Sequence, residues 1–308
     1  MTRILEQLDK SEIQQFTRRS NLQAWFAVIV NWAIVGLAMV MVALWTNPGT
    51  ILLALILIGG RQLGFGALMH ECGHNSFFET KGLNQWVGTW LCAAPMLYRL
   101  EDYVSNHLQH HRNMGTEQDP DLSRYQHYPV SKVSLRRKML RDLTGRTSFG
   151  FVKNLLRTNG VIGRDEDGKL HFSMHQLLTR LHAPLISNLV LLSIFTATGY
   201  TYLYLLWIGA FFSFYMFFSR IRNLAEHAVV PDLFHPDPLM NTRTVLASWW
   251  EKLTFAPNSV NYHLEHHLLP AVPKYRLQAF HEYLKRKGLL DSADIVHGYG
   301  NVIAKLAI

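Results

Sequence analysis

The chain has 308 residues, 49% of them hydrophobic and only 17% charged, with a formal net charge of +8. Soluble globular proteins carry roughly 25% charged residues, so the composition argues against a soluble globule; the positive charge comes with no nucleic-acid recognition motif, and no nucleic-acid partner is expected. Cys72 and Cys92 are the only cysteines, too few for a disulfide framework.

Residues 1–22 are polar, include Arg18 and Arg19, and lack a short apolar core with a small-residue cleavage site, so no secretory signal is expected. Ile4, Leu8 and Phe16, with Leu5 and Ile13 nearby, are read either as one face of an amphipathic helix lying on the membrane or as part of a frayed polar tail. From Ala24 to Trp45 the chain is apolar, with Asn31 its only strongly polar side chain. At ~1.5 Å per residue this run reaches roughly 33 Å, enough to cross a bilayer core. A second apolar run starts near Thr50 and continues through Arg61 to His70, completing a helical hairpin over 24–70. The stretch Gln85–Tyr98 is apolar but too short to span comfortably, and is expected to be re-entrant or interfacial. Lys132–Arg141 (KVSLRRKMLR) mixes apolar and basic residues like an interfacial helix. Residues 160–168 (GVIGRDEDG) are polar and turn-like. Two more spans, from about Leu181 to Thr198 and from about Tyr202 to Ser219, form a second hairpin over 181–219. The remaining 220–308 is a C-terminal part outside the spans.

The links Thr46–Thr50 and Ala197–Thr201 carry no charge, whereas nearly all Lys and Arg lie on the other side. By the positive-inside rule that side is cytoplasmic. The expected fold is a single all-α membrane domain: about four transmembrane helices plus a cytoplasmic helical cap. The basic face then meets anionic lipid, an acidic partner protein, or both.

Eight of the 16 histidines fall into three clusters: His70 and His74 in HECGH; His107, His110 and His111 in HLQHH; His263, His266 and His267 in HLEHH. Residues three or four apart share a helix face, so each cluster can aim its imidazoles one way. Neutral imidazole is the commonest side-chain metal ligand. One zinc takes three or four protein ligands, so eight suit about two ions. The topology places all three clusters on one membrane face. HECGH alone also matches the zinc-protease pattern H-E-x-x-H, with Glu71 as general base and Asp119 as a conceivable third ligand, but that reading leaves six clustered histidines unused. A metal transporter would place ionisable groups along a path within the spans, which hold few. Cys72 is read as a small packed residue rather than a ligand. His127, His171, His175, His182, His235, His281 and His297 are read as solvated or hydrogen-bonded.

Together the three boxes, their order and their spacing resemble the membrane fatty-acid desaturase and hydroxylase superfamily of non-haem di-iron enzymes, over about Ala24 to Leu290. The resemblance implies two Fe2+ ions held by the eight box histidines. It also implies a ninth ligand, His227, and a water-mediated one on the other iron, Asn223, from the Asn-x-x-x-His stretch after the fourth span. Glu71, Asp119, Asp121, Glu226 and Glu265 stand beside the boxes, and two or three of them are expected to accept hydrogen bonds from ligating imidazoles. Iron suits the chemistry, because breaking an unactivated C–H bond needs an O2-derived oxidant on a redox metal and zinc has no redox chemistry. The wording of the boxes, with H-x-x-x-H first and His263 opening the third, resembles acyl-lipid desaturases. Hydroxylases, alkane or carotenoid oxygenases and oxidative decarboxylases share the same boxes and stay open. The haem motif H-P-G-G does not occur, so electrons are expected from a separate ferredoxin or cytochrome b5. Arg61, about nine residues before His70 and so roughly 13 Å away along a helix, is read either as an anchor for a substrate carboxylate or headgroup, or as paired with Gln62 or a helix-end carbonyl.

Overall fold

A computed structural model describes residues 4–164 and 167–308; Asp165 and Glu166, within the polar turn expected at 160–168, lie outside the described residues. The fold is almost entirely helical. In chain order it has α1 (Lys10–Thr17), α2 (Asn21–Leu44), α3 (Pro48–Gly73), α4 (Lys81–Val87), α5 (Leu100–Asn113), α6 (Leu122–Tyr125), α7 (Lys132–Leu143) and α8 (Arg146–Thr158). A small antiparallel pair follows, β1 (Ile162–Arg164) and β2 (Leu170–Phe172). Then come α9 (Met174–Arg180), α10 (His182–Ala197), α11 (Leu203–Ala210), α12 (Met216–His227) and α13 (Pro238–Asn241). The C-terminal part adds β3 (Arg243–Leu246), α14 (His263–Leu268), α15 (Lys274–Arg286), β4 (Asp294–His297) and α16 (Tyr299–Lys305), with β3 and β4 paired in parallel.

Three helical stretches are long and apolar enough to cross a membrane: Asn21–Leu44, Pro48–Gly73 and Leu203–His227. A fourth span is formed if α9 and α10, bent by 80° at their junction, are taken together. The last span differs from the expected Tyr202–Ser219. A turn of π-helix at Phe211–Tyr215 joins α11 to α12, and the helix runs unbroken to His227. Sequence hydropathy loses it at Arg220 and Arg222, whose charges are matched locally. Arg220 donates to buried Asp142 of α7 (2.8 Å), and Arg222 pairs with Glu226 one turn on (2.5 Å). Leu22, Phe26, Ile29, Leu37 and Val40 of α2 are exposed, as lipid-facing side chains are.

The first hairpin is sharply made. Asn47 caps α3 by accepting from the Gly49 and Thr50 amides, and Pro48 takes the first helical position. After it, α4 continues into a turn of π-helix (Gly88–Ala93) and a 3-10 turn (Ala94–Met96). Such broken backbone at membrane depth must find partners inside the protein. Side chains of the spans supply them. Trp32 donates to the Leu91 carbonyl (3.2 Å), Asn188 to Ala94 (3.3 Å) and Trp207 to Pro95 (3.1 Å).

The N-terminal segment takes neither expected form. Ile4, Leu8 and Phe16 are buried against Leu268, Leu277, Phe280 and Leu284, with Phe16 5.2 Å from the Phe280 ring. The apolar face is satisfied by α15 rather than by lipid. Lys132–Leu143 is helical as expected, and leaves Val133 and Leu140 exposed beside Arg136, Arg137 and Arg141.

The loop before the third box is wedged onto α3. Arg61 Nη2 donates to the Lys252 carbonyl (2.8 Å), a contact that supports the structural reading of this residue. Asn31, buried in α2, donates to Asn258 (3.0 Å), and Asn258 donates to the Gly64 carbonyl (3.0 Å). Two glycines permit this approach. A Cβ at Gly60 would stand 2.1 Å from the Leu253 carbonyl oxygen, and one at Gly64 would stand 2.3 Å from Asn31 Oδ1.

Candidate metal centre

Four helix ends carry the site. His70 and His74 close α3, and His107, His110 and His111 lie on α5. His227 ends α12, and α14 is little more than the third box itself. The nine imidazoles form two groups. His70, His74, His107, His111 and His266 make one; His110, His227, His263 and His267 make the other; within each, the ligand atoms all lie within 4.8 Å of one another.

Each H-x-x-H-H box is divided between the groups. The i,i+4 pair His107 and His111 serves the first group while His110 turns to the second; His263 and His267 serve the second while His266 crosses to the first. The Nε2 atoms converge. His107 stands 2.9 Å from His74 and 2.8 Å from His111, and His266 stands 3.0 Å from His111. In the second group His263 is 2.8 Å from His227 and 2.9 Å from His267. Nitrogens about 2.1 Å from a shared ion and at right angles around it stand roughly 3 Å apart, so the donor sets fit two metal ions. His70 Nε2 is buried without a hydrogen-bond partner, a cost that metal ligation would remove. Burial pushes His74 down to about 4 and His111 to about 3, with neighbouring positive groups adding to it. At pH 7 both keep a free nitrogen lone pair.

The outer ring nitrogens are held in turn. His70 Nδ1 lies 3.1 Å from Glu71, His110 Nδ1 2.9 Å from Asp119, and His263 Nδ1 3.4 Å from Glu226. His227 Nδ1 donates to the Asn241 carbonyl (3.2 Å). Such contacts fix tautomer and ring direction. Glu71 also accepts from Ser76 Oγ (3.2 Å) and from the Lys274 amide (3.0 Å). That leaves it poorly placed as the free base of a protease. The other two carboxylates beside the boxes do not touch these imidazoles. Asp121 accepts from Asn106 (3.3 Å) and Arg124 (3.1 Å). Glu265 accepts from Thr244 (2.6 Å) and bonds buried His281 (2.6 Å), tying α14 to β3 and α15.

Asp119→Asn is expected to weaken metal binding in the second group by about 10- to 100-fold. Titration of the purified variant with Fe2+ checks this, and wild-type affinity would show that the His110–Asp119 contact is idle.

Some supporting residues carry no sequence motif. Tyr125 donates to Asp119. Arg243, fully buried, donates to the Ala225 (3.2 Å), Ala228 (3.0 Å) and Val229 (2.6 Å) carbonyls and pairs with Asp294 (2.7 Å). It thereby caps the helix that ends in His227. Lys274 is buried, and its ammonium is pushed down by that burial, against the pull of Glu71.

A cavity of about 300 Å³ opens beside both groups, reaching His70 and His107 of the first and His110, His227 and His263 of the second. Asn223 lines it, as do Tyr98 and Tyr215, whose hydroxyls are hydrogen-bonded at 2.8 Å.

A helical membrane protein with nine convergent imidazoles in two adjoining sets, beside a cavity, has the build of a membrane metalloenzyme. The fatty acid desaturase family model matches residues 46–297, and the chain belongs to that family. It is an oxidoreductase of the desaturase type. Among its relatives, dihydrorhizobitoxine desaturase of Bradyrhizobium elkanii is 25% identical over 271 residues, covering 84% of this chain and 74% of the relative. The sn-1 oleoyl-lipid 12-desaturase of Arthrospira platensis is 22% identical over 272 residues, covering 83% and 74%. The sn-1 acyl-lipid omega-3 desaturase (ferredoxin) of Synechocystis is 35% identical over 88 residues, covering 29% of this chain and 20% of the relative.

Proposed function

We propose that this protein is an O2-dependent acyl desaturase that holds two Fe2+ ions and acts at the cytoplasmic face of the membrane on an acyl chain entering from the bilayer. The observation that carries the reading is the division of nine imidazoles into groups of five and four, with Nε2 atoms 2.8–3.0 Å apart. His70, His74, His107, His111 and His266 would hold one ion. His110, His227, His263 and His267 would hold the other, and Asn223 would place a water on the first. Bound iron would supply the redox chemistry that side chains lack. In the overall reaction two vicinal C–H bonds break and a C=C bond forms. O2 accepts four electrons, two from those bonds and two from the donor, and with two further protons it leaves as two waters.

The chain's own part is placement. Asp119, Glu71 and Glu226 keep the imidazoles directed inward, and the cavity walls set which carbon meets the site and exclude bulk water. The bias of Lys and Arg to one side of the spans supports the cytoplasmic assignment. The Synechocystis relative is named for ferredoxin; with the basic surface, this supports an acidic external donor such as ferredoxin or cytochrome b5. The test is expression in a host of known lipid composition, with metal analysis of the purified protein and mass spectrometry of the host's acyl groups. The expected result is about two irons per chain and new double bonds. New hydroxyl groups or terminal alkenes would replace this reading with a hydroxylase or decarboxylase; stoichiometric zinc would end it.

A further inference from the structure

The cavity beside the histidines is lined in part by charged side chains. Among the side chains that line it is Arg222, on the last span one residue before Asn223. A guanidinium at this depth is costly to hold and marks function unless structure explains it. Structure explains only part. Arg222 Nε faces Glu226 Oε1 at 2.5 Å, and among the described residues no other group pairs with the guanidinium. Glu226 is itself divided, standing 3.4 Å from His263 Nδ1. Arg222 is one of the side chains that line the cavity, and its side chain stays 19% exposed. Its guanidinium is therefore one carboxylate away from a candidate metal ligand, and it offers a planar fork of donors to the space where substrate must sit. Such a fork matches a carboxylate, which it can take through two parallel hydrogen bonds.

The cavity is also lined in part by small and apolar residues. Leu63, Gly66, Ala67 and Met69 of α3 line it, and Gly66 has nothing within 4 Å of where a Cβ would stand. The lining therefore combines the Arg222 cation, near the Arg124–Asp121 pair, with an apolar stretch of α3. A volume of about 300 Å³ lies at the small end of ligand sites, which run from ~300 to 1,000 Å³.

We propose that the substrate is an unesterified acid whose carboxylate is gripped by Arg222, with its alkyl tail along the α3 wall, and that the double bond forms within a few bonds of the carboxyl group. This rests on the desaturase reading and narrows it, from acyl chains in general to free acids reacting near the carboxyl end. An ester of a glycerolipid offers no anion to Arg222 and forgoes the charged hydrogen bonds that a carboxylate can make there.

The test uses the full-length, iron-loaded protein in nanodiscs. Its thermal unfolding midpoint is followed with octanoate and with methyl octanoate, together with iron content. Octanoate is expected to raise the midpoint in proportion to its binding, and methyl octanoate to leave it unmoved. Arg222→Gln is expected to weaken octanoate binding by about 10- to 100-fold, the worth of a charged hydrogen-bonded pair, with Arg222→Lys between it and wild type. Product analysis is expected to place the new double bond near the carboxyl end of a free acid. Equal stabilisation by the methyl ester, or a double bond in the middle of a lipid-esterified chain, overturns the proposal. The ester comparison needs no variant, so a misfolded Arg222→Gln does not rescue the idea. About two irons per chain without discrimination between acid and ester defeats this inference alone; absence of iron defeats the desaturase reading.

Discussion

His107→Ala is expected to disable one histidine group and His267→Ala the other, each abolishing turnover and lowering bound iron from about two ions per chain to about one. His107 is central to the first group, with its Nε2 2.9 Å from His74 and 2.8 Å from His111. His267 faces His263 at 2.9 Å, and its ring lies 5.3 Å from His110 and 5.4 Å from His227. Truncating either removes a donor that no neighbouring side chain replaces. The fold should survive, because among the described residues the hydrogen bonds of both imidazoles run to other imidazoles and the spans do not depend on them. The measurement is iron per chain beside membrane fractionation and activity. Full activity in either variant would remove the two-ion assignment. Loss of both irons from His107→Ala alone would mean that the groups load cooperatively rather than as separable sites.

How much of this was legible beforehand depends on the reach of the interaction. Spacing within a helix is local, so the i,i+4 pairs His107–His111 and His263–His267 could be read directly as shared faces. The crossing of His110 and His266 to opposite groups could not, because it depends on how α5 and α14 lie against each other. Among the carboxylates, Glu71, Glu226 and Glu265 each adjoin a clustered histidine in sequence, and only packing shows that Glu71 and Glu226 reach ligand imidazoles while Glu265 bonds Thr244 and His281. Asp119 and Asp121 are not distinguished by sequence; what separates them is that Asp119 is buried beside Tyr125 and His110. The N-terminal helix shows the same limit. Its apolar face was evident, but periodicity does not say whether lipid or protein covers it, and its partner Phe280 lies near the other end of the chain. Arg243 and Lys274 belong to no motif, and each matters only through a contact that folding creates.

The second large effect lies in the membrane span, away from the imidazoles. Gly60→Ala is expected to destabilise the protein by about 3 kcal/mol or more, the upper end of the cost of overpacking a tight contact. Helix propensity pulls the other way by no more than about 1 kcal/mol. The new methyl would meet the Leu253 carbonyl oxygen at 2.1 Å and Thr254 Cα at 3.0 Å, backbone atoms that no rotamer change can move aside. Gly36→Ala on α2, with nothing within 4 Å of its Cβ, is the control and should be neutral or slightly stabilising. The loop that must retreat is held by Arg61 at Lys252 and by Asn258 at Gly64, and it leads directly into α14. Because α14 supplies His266 to one group and His263 and His267 to the other, displacing the loop should cost iron at both. Unfolding midpoint and iron content of the two glycine variants, measured together, decide it. A Gly60→Ala protein as stable and as iron-rich as Gly36→Ala would mean that the loop does not press on α3 as closely as the packing requires. The third box would then have to be positioned from α15 and β3, through Glu265 with His281 and Thr244.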